Sequence, residues 1–161
     1  MRLLGLSPLA QLAGLAPLVV RVLVGIIMFA HGWQKLQGGP ADFGQQVLAN
    51  LGVPLPAFIG YVVTFTELFG GILLIIGLLS RLAALALTIN LVVAFFLVKI
   101  NVGLIVPPGS GTGAELDLAL IAGFLVVLLV GPGKLSLDYA LGIEREAAEE
   151  PAAGRDRARA T

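Results

Sequence analysis

The sequence predicts an all-α, polytopic membrane protein: a bundle of four transmembrane helices with both termini on the cytoplasmic side (N-in/C-in). Three observations predict it. The 161 residues are 58% hydrophobic and only 12% charged, about half the charge of a soluble domain. Four segments approach the roughly 17–25 mostly apolar residues that a helix needs to cross a bilayer. The basic residues are also sorted. Every arginine, with Lys134, falls on the side of the termini, and only Lys35 and Lys99 fall on the other. That asymmetry marks the cytoplasmic face.

The elements follow in chain order. "MRLLGLSPLAQLAGLAPLVV" is interrupted by prolines and runs straight into the next apolar stretch. It reads as a short interfacial lead and not as a cleaved signal peptide. The first span, 17–36, contains Arg21, His31 and Lys35 and ends in "FAHGWQKL". The segment 41–51 places Phe43, Val47, Leu48 and Leu51 on one side, an amphipathic helix expected to lie on the outer surface before the stop at Gly52. The second span, 56–79, has Glu67 as its one charge, and the third, 82–100, carries Asn90 at its middle and Lys99 at its end. The fourth, 114–130, reaches spanning length only by drawing Glu115 and Asp117 into its first turn. "GPGKLSLD" at 131–138 leads into a juxtamembrane helix. The membrane domain is thus expected over 1–141, and 142–161 as a cytoplasmic, polar tail of mixed charge, disordered at its end. Trp33 and Tyr61 fall near the outer boundary, where aromatic anchors concentrate.

Composition narrows the chemistry. There are no cysteines, which removes disulfides, thiol exchange and cysteine-ligated clusters. The one histidine cannot supply a bis-histidine haem within one chain. No Glu-x-x-His di-iron pattern occurs, and no ligand spacing points to a metal. A formal net charge of zero gives no reason to expect nucleic acid. No cofactor is expected to be covalent, so any electrons must sit on something bound.

The polar residues at depth carry the functional signal. Each charge inside a span costs about 2.5–3.5 kcal/mol on insertion scales and calls for a partner or a purpose. At about 1.5 Å per residue, Glu67 and Asn90 sit near the bilayer middle. His31 lies in the outer third, Lys35 near the outer boundary, and Glu115 and Asp117 at the outer start of span four. The inner half holds Arg21, expected as an anchor with Asp138 as a partner. At about 100° per residue, His31 and Lys35 share a face of span one with Gly25 and Gly32. Thr64, Gly71 and Gly60 share a face with Glu67, a small-residue stripe that turns the acid into the bundle. His31, Lys35, Glu67, Asn90 and Glu115 are therefore the site residues expected to bind a ligand or relay protons. Each also has a plainer role: an ion pair of Glu67 with Lys35, His31 or Lys99, a snorkelling anchor for Lys35, interhelical hydrogen bonding for His31 and Asn90. For Glu115 it is a capping box with Thr112, and for Asp117 a complement to the helix dipole.

The order of these features resembles the DoxX family of small four-helix bacterial membrane proteins. Arg21, Gly25, Phe29, "HGWQKL", "GVPLP" (52–56), "ELFGGILLIIGLLSR" (67–81), "AEL" (114–116) and "GPGKLSLD" carry the resemblance, over about residues 17–141. It implies a multi-pass protein of the bacterial plasma (inner) membrane. It also implies association with membrane redox chemistry, relatives being subunits of thiosulfate:quinone oxidoreductases. A distant branch resembles eukaryotic surfeit-locus cargo receptors, which are not enzymes.

Three readings result, in order of preference. The first is a quinone-linked redox subunit, with His31 and Lys35 donating to a quinone carbonyl and Glu67 relaying protons. The second is a non-enzymatic scaffold that docks partners through its outer loops or tail. The third is transport of protons or a small solute past Glu67. Expected partners are the lipid bilayer, redox partner proteins and, in a homo-oligomer, further copies of the chain.

Overall fold

Proline and glycine set the helix limits. The computed structural model describes residues 12–100, 102–107 and 111–144. The first eleven residues of the expected interfacial lead, and the expected tail from 145 onward, lie outside them. Among the described residues the fold is all-helical, without strands. Helix α1 (Ala16–Gly38) begins with Pro17 in its first turn and stops where Gly39 takes φ 87°. Helix α2 (Pro40–Phe43) continues through a π turn, Gly44–Leu48, and a 3₁₀ turn, Ala49–Leu51, to a left-handed Gly52. Helix α3 (Pro56–Ile76) starts on proline and ends at a left-handed Gly77, φ 73°. Helix α4 (Ser80–Ala94) runs on as a π turn, Phe95–Lys99. Helix α5 (Glu115–Val130) and the short α6 (Leu137–Ala140) complete the order.

Three helical runs are long and apolar enough to cross a membrane: Leu12–Gly38, Pro56–Ile76 and Ser80–Lys99. The expected fourth span is a helix of 16 residues, about 24 Å long, packed into the same bundle through Leu120, Phe124 and Val127. The core unites Val24 and Met28 of α1 and Leu74 of α3 with Ala83, Ala84, Leu87 and Leu91 of α4 and those three residues of α5. The outer faces are as apolar as the core. Leu23, Phe58, Phe69, Leu82, Ile89 and Phe96 are each at least half exposed, as a chain dissolved in lipid requires. A row of stacked rings, Tyr61 on Phe65 on Phe69, runs along the exposed side of α3 with centroids 6.3 and 5.6 Å apart.

Lipid tails do not drive helices together, so close packing must. Helices α1 and α3 touch backbone to backbone through glycine. A Cβ on Gly71 would lie 2.5 Å from the Phe29 nitrogen, and one on Gly32 would lie 2.7 Å from the Leu68 Cα. The α2 segment is seated on the start of α3 in the same way, a Cβ on Gly44 meeting the Ala57 Cα at 2.9 Å.

The end of the bundle where α1 begins and α3 ends is closed by hydrogen bonds to groups that helix ends leave unpaired. Arg21, 2% exposed, donates from Nη1 to the Leu74 and Ile75 carbonyls at 2.7 and 2.8 Å, the end of α3. Its Nε reaches the Pro132 carbonyl at 3.1 Å, and its Nη2 the Leu135 carbonyl. Asp138 of α6 accepts from the Leu79 and Ser80 amides at 2.7 and 2.8 Å, the start of α4, and so holds Leu79 at φ 47°. Arg21 and Asp138 therefore serve one corner from two sides instead of pairing with each other. Arg81 repeats the device, donating to the Leu128 carbonyl near the end of α5 and to Glu144 Oε1 at 2.9 Å.

Removing the Arg21 head group leaves buried carbonyls unpaired, at about 1–3 kcal/mol each. Arg21→Met is expected to cost about 3–5 kcal/mol, read as a lower thermal midpoint in detergent, with Arg21→Lys recovering part. An unchanged midpoint in Arg21→Met would show that water satisfies the corner.

Candidate functional site

The glycine contact between α1 and α3 fixes the site. Gly32 lies against the backbone of Glu67 and Leu68, so Lys35, one turn further along α1, comes alongside Glu67. Lys35 Nζ donates to Glu67 Oε2 in an ion pair. From α4, Asn90 Nδ2 donates to Glu67 Oε1 at 3.2 Å. Both carboxylate oxygens of Glu67, a residue 4% exposed, thus have donors, which is what a buried charge requires. Phe43 of α2 covers the ammonium of Lys35, with Nζ 5.2 Å from the ring centroid, a cation–π contact. The Thr64 hydroxyl turns back onto the Gly60 carbonyl at 2.7 Å and serves its own helix.

Behind this network lies a cavity of about 340 Å³ bounded by α1, the α2 segment, α3, α4 and α5. Its walls are mainly apolar, with Met28, Ile59, Val63, Leu91, Val93 and Leu97 among them. Its polar groups are His31, Lys35, Glu67, Asn90, Lys99 and Asp117. Its size is at the lower end of the range for small-molecule pockets, about 300–1,000 Å³. A second, more open cavity of about 390 Å³ adjoins it on the α2 side, with Gln34, Asp42 and Gln46. His31, Lys35, Phe43 and Val47 border both.

Of the expected site residues, the structure brings His31, Lys35, Glu67 and Asn90 to one cavity and leaves Glu115 out. Glu115 serves the start of α5, where its Oε1 accepts from the Gly113 amide at 3.3 Å. The capping hydroxyl expected of Thr112 is engaged elsewhere: Lys99 Nζ donates to the Thr112 carbonyl and lies 3.2 Å from its Oγ1. The residue that sequence reasoning passed over is Asp117. It is 8% exposed and lines the cavity. A signal was present: Asp117, Leu120, Phe124 and Val127 are the buried positions of α5 and fall at helical spacing, so the acid stands in the inward stripe.

The DoxX family model matches residues 16–100, α1 through the end of α4. A protein named "Putative oxidoreductase CatD" from Bacillus subtilis is 35% identical over 121 residues, covering 75% of this chain and 83% of that protein. An uncharacterized membrane protein of Mycobacterium tuberculosis is 32% identical, covering 76% and 78% respectively. The inner membrane protein YqjF of Escherichia coli is 29% identical, covering 81% and 95%. No solved structure matches the chain.

Removing one partner of a buried ion pair leaves the other uncompensated, at about 3–5 kcal/mol. Lys35→Met is expected to destabilise the protein by that amount, and Lys35→Met with Glu67→Gln to recover most of it. A double-mutant cycle on unfolding in mixed micelles measures the coupling. A coupling below about 0.5 kcal/mol, the scale of an exposed pair, would show that the pair is open to water.

Proposed function

This chain belongs to the DoxX family, and we propose that it is a quinone-linked, redox-associated subunit of the bacterial plasma membrane. The observation that carries this reading is the cavity: a mainly apolar chamber bordered by His31, Lys35, Glu67, Asn90, Lys99 and Asp117. A quinone is a flat apolar ring with two carbonyls that need donors. In this reading Lys35 and His31 donate to one carbonyl, Asn90 borders the same chamber, and Glu67 fixes Lys35 in place. Glu115 has no part. Electrons come from a redox partner protein, because a chain without cysteine and with one histidine carries no evident redox group of its own. The name of the Bacillus subtilis relative, an oxidoreductase, agrees with this reading.

In the same proposal α5 completes the bundle as a fourth crossing, its first turn at the outer boundary. Both termini are cytoplasmic, the arrangement that puts the arginines inside and the two cavities in the outer half. The printed location of the Escherichia coli relative, the inner membrane, supports the assignment to the plasma membrane.

A scaffold is the second reading, and one observation favours it: Glu67 is fully hydrogen-bonded without any ligand. The two differ in outcome. Protein purified gently from native membranes is expected to carry quinone detectable by mass spectrometry, and Glu67→Gln to lower the retained amount severalfold. Absence of quinone from the unaltered protein would defeat the redox reading. Stable partners lost on changing 40–56 or on deleting 142–161, with Glu67→Gln harmless, would establish the scaffold.

A further inference from the structure

Two carboxylates face the cavity, and they are not equivalent. Glu67 has a donor on each oxygen. Asp117, 8% exposed, accepts no hydrogen bond and forms no ion pair among the described residues. It is not an orphan sealed in protein, because its carboxylate borders the chamber. A buried acceptor without a protein donor is expensive, and a ligand O–H can remove that cost. The His31 ring also lacks a hydrogen bond among the described residues and also borders the chamber. The unpartnered polar groups are therefore an acid on α5 and a base on α1.

The apolar part of the chamber indicates where such a ligand comes from. Val93 is 51% and Leu97 39% exposed on the side of the molecule, yet both line the cavity, as do Ile59 and Val63 of α3. The chamber therefore reaches the surface between α3 and α4, where the surroundings are lipid tails. A ligand with a polar head and an apolar tail fits this path. The head rests among Asp117, His31 and Lys35 while the tail leaves into the bilayer.

We propose that Asp117, and not Glu67, is the carboxylate that hydrogen-bonds the head of a bilayer-borne quinol and exchanges a proton with it. The proposal rests on the quinone reading given above. Reduction of the quinone takes two electrons from the redox partner protein and forms two O–H bonds, with one proton from Asp117 and the other from His31, at the border of the second cavity; oxidation of the quinol runs the same transfers backwards and returns the protons to Asp117 and His31. The charged and titratable groups around Asp117 are Lys99 at the end of α4, His31 and Lys35 on α1 and Glu115 on its own helix, with Glu67 on α3 lining the same cavity. Glu67, held by Lys35 and Asn90, acts as a fixed charge.

The test uses the full chain in lipid vesicles with ubiquinone-1 as probe, cycled electrochemically and followed by infrared difference spectroscopy. The expected result is a protonated-carboxyl C=O band that appears with quinol oxidation, shifts when aspartate is carboxyl-labelled with ¹³C, and is lost in Asp117→Asn. That variant should also bind ubiquinone-1 about tenfold more weakly. If Asp117→Asn does not accumulate, the labelled parent still decides, since of the described aspartates only Asp117 lines the cavity. Quinone binding with a band insensitive to aspartate labelling, or retained in Asp117→Asn, overturns the role of Asp117 and leaves the quinone reading standing. An unaltered protein that binds no ubiquinone-1 overturns both.

Discussion

The contact of α1 with α3 through glycine is the constraint on which the rest depends. In lipid no hydrophobic gain brings helices together, and the attraction comes from atoms allowed to approach closely. Gly32 and Gly71 allow it, about one turn apart along the contact. The first brings the α1 backbone onto Leu68 and so delivers Lys35 to Glu67. The second brings Phe29 onto α3 and sets the two helices as one slab. A methyl group at either position would have to push the backbones apart, and Lys35 would lose its reach before any other part of the site changed.

The slab and the α4–α5 pair meet differently at their two ends. At the Arg21 end, donors and acceptors from distant parts of the chain occupy the groups that helix termini leave open. Arg21 takes the carbonyls of α3, Arg81 a carbonyl of α5, and Asp138 the amides of α4. Within a bilayer such groups have no water to turn to, so this end is dense and specified. At the other end, among the described residues, side-chain bonds join α1, α3 and α4 through Lys35, Glu67 and Asn90 but do not reach α5. Lys99 ties its own loop to Thr112, and the space between the halves remains as the chamber. A tight end and a hollow end are the same design decision seen twice.

Much of this was legible in the residues, and the limits are instructive. The three long apolar runs follow from composition, and the turning inward of Glu67 follows from Thr64, Gly60 and Gly71 on its face. Depth, which rises linearly along a helix, and helical phase, which is periodic, narrowed the partner of Glu67 to Lys35, His31 or Lys99; only the packed helices single out Lys35. Asn90 was legible as an interhelical hydrogen-bonder, but not as the second donor to Glu67. That depends on how α4 is rotated, which no single helix records. Arg21 and Asp138 do share one end and feel each other's charge, but their hydrogen bonds go to backbone groups at helix ends, which leave no trace in side-chain pattern. Thr112 and Glu115 read as a reciprocal cap, whereas Lys99, from a different element, takes the threonine. Asp117 could be read as a complement to the helix dipole or as an acid facing the bundle interior; its helical spacing with Leu120, Phe124 and Val127 favours the second, and the packed α5 buries all four.

The closing of the Arg21 corner also has a consequence in time. The bonds that hold Leu79 and Ser80 span 59 and 58 positions of sequence, and the bond from Arg21 to Leu135 spans 114. A chain made from its N-terminus can lay down α1, α3 and α4 in the membrane long before Asp138 exists. During that interval the turn at Leu79 lacks its acceptor, and Arg21 has only the carbonyls of Leu74 and Ile75. The last short helix is thus the bolt of the assembly: a chain ending between residues 131 and 137 keeps α1, α3, α4 and α5 but lacks the carboxylate that holds Leu79 and Ser80.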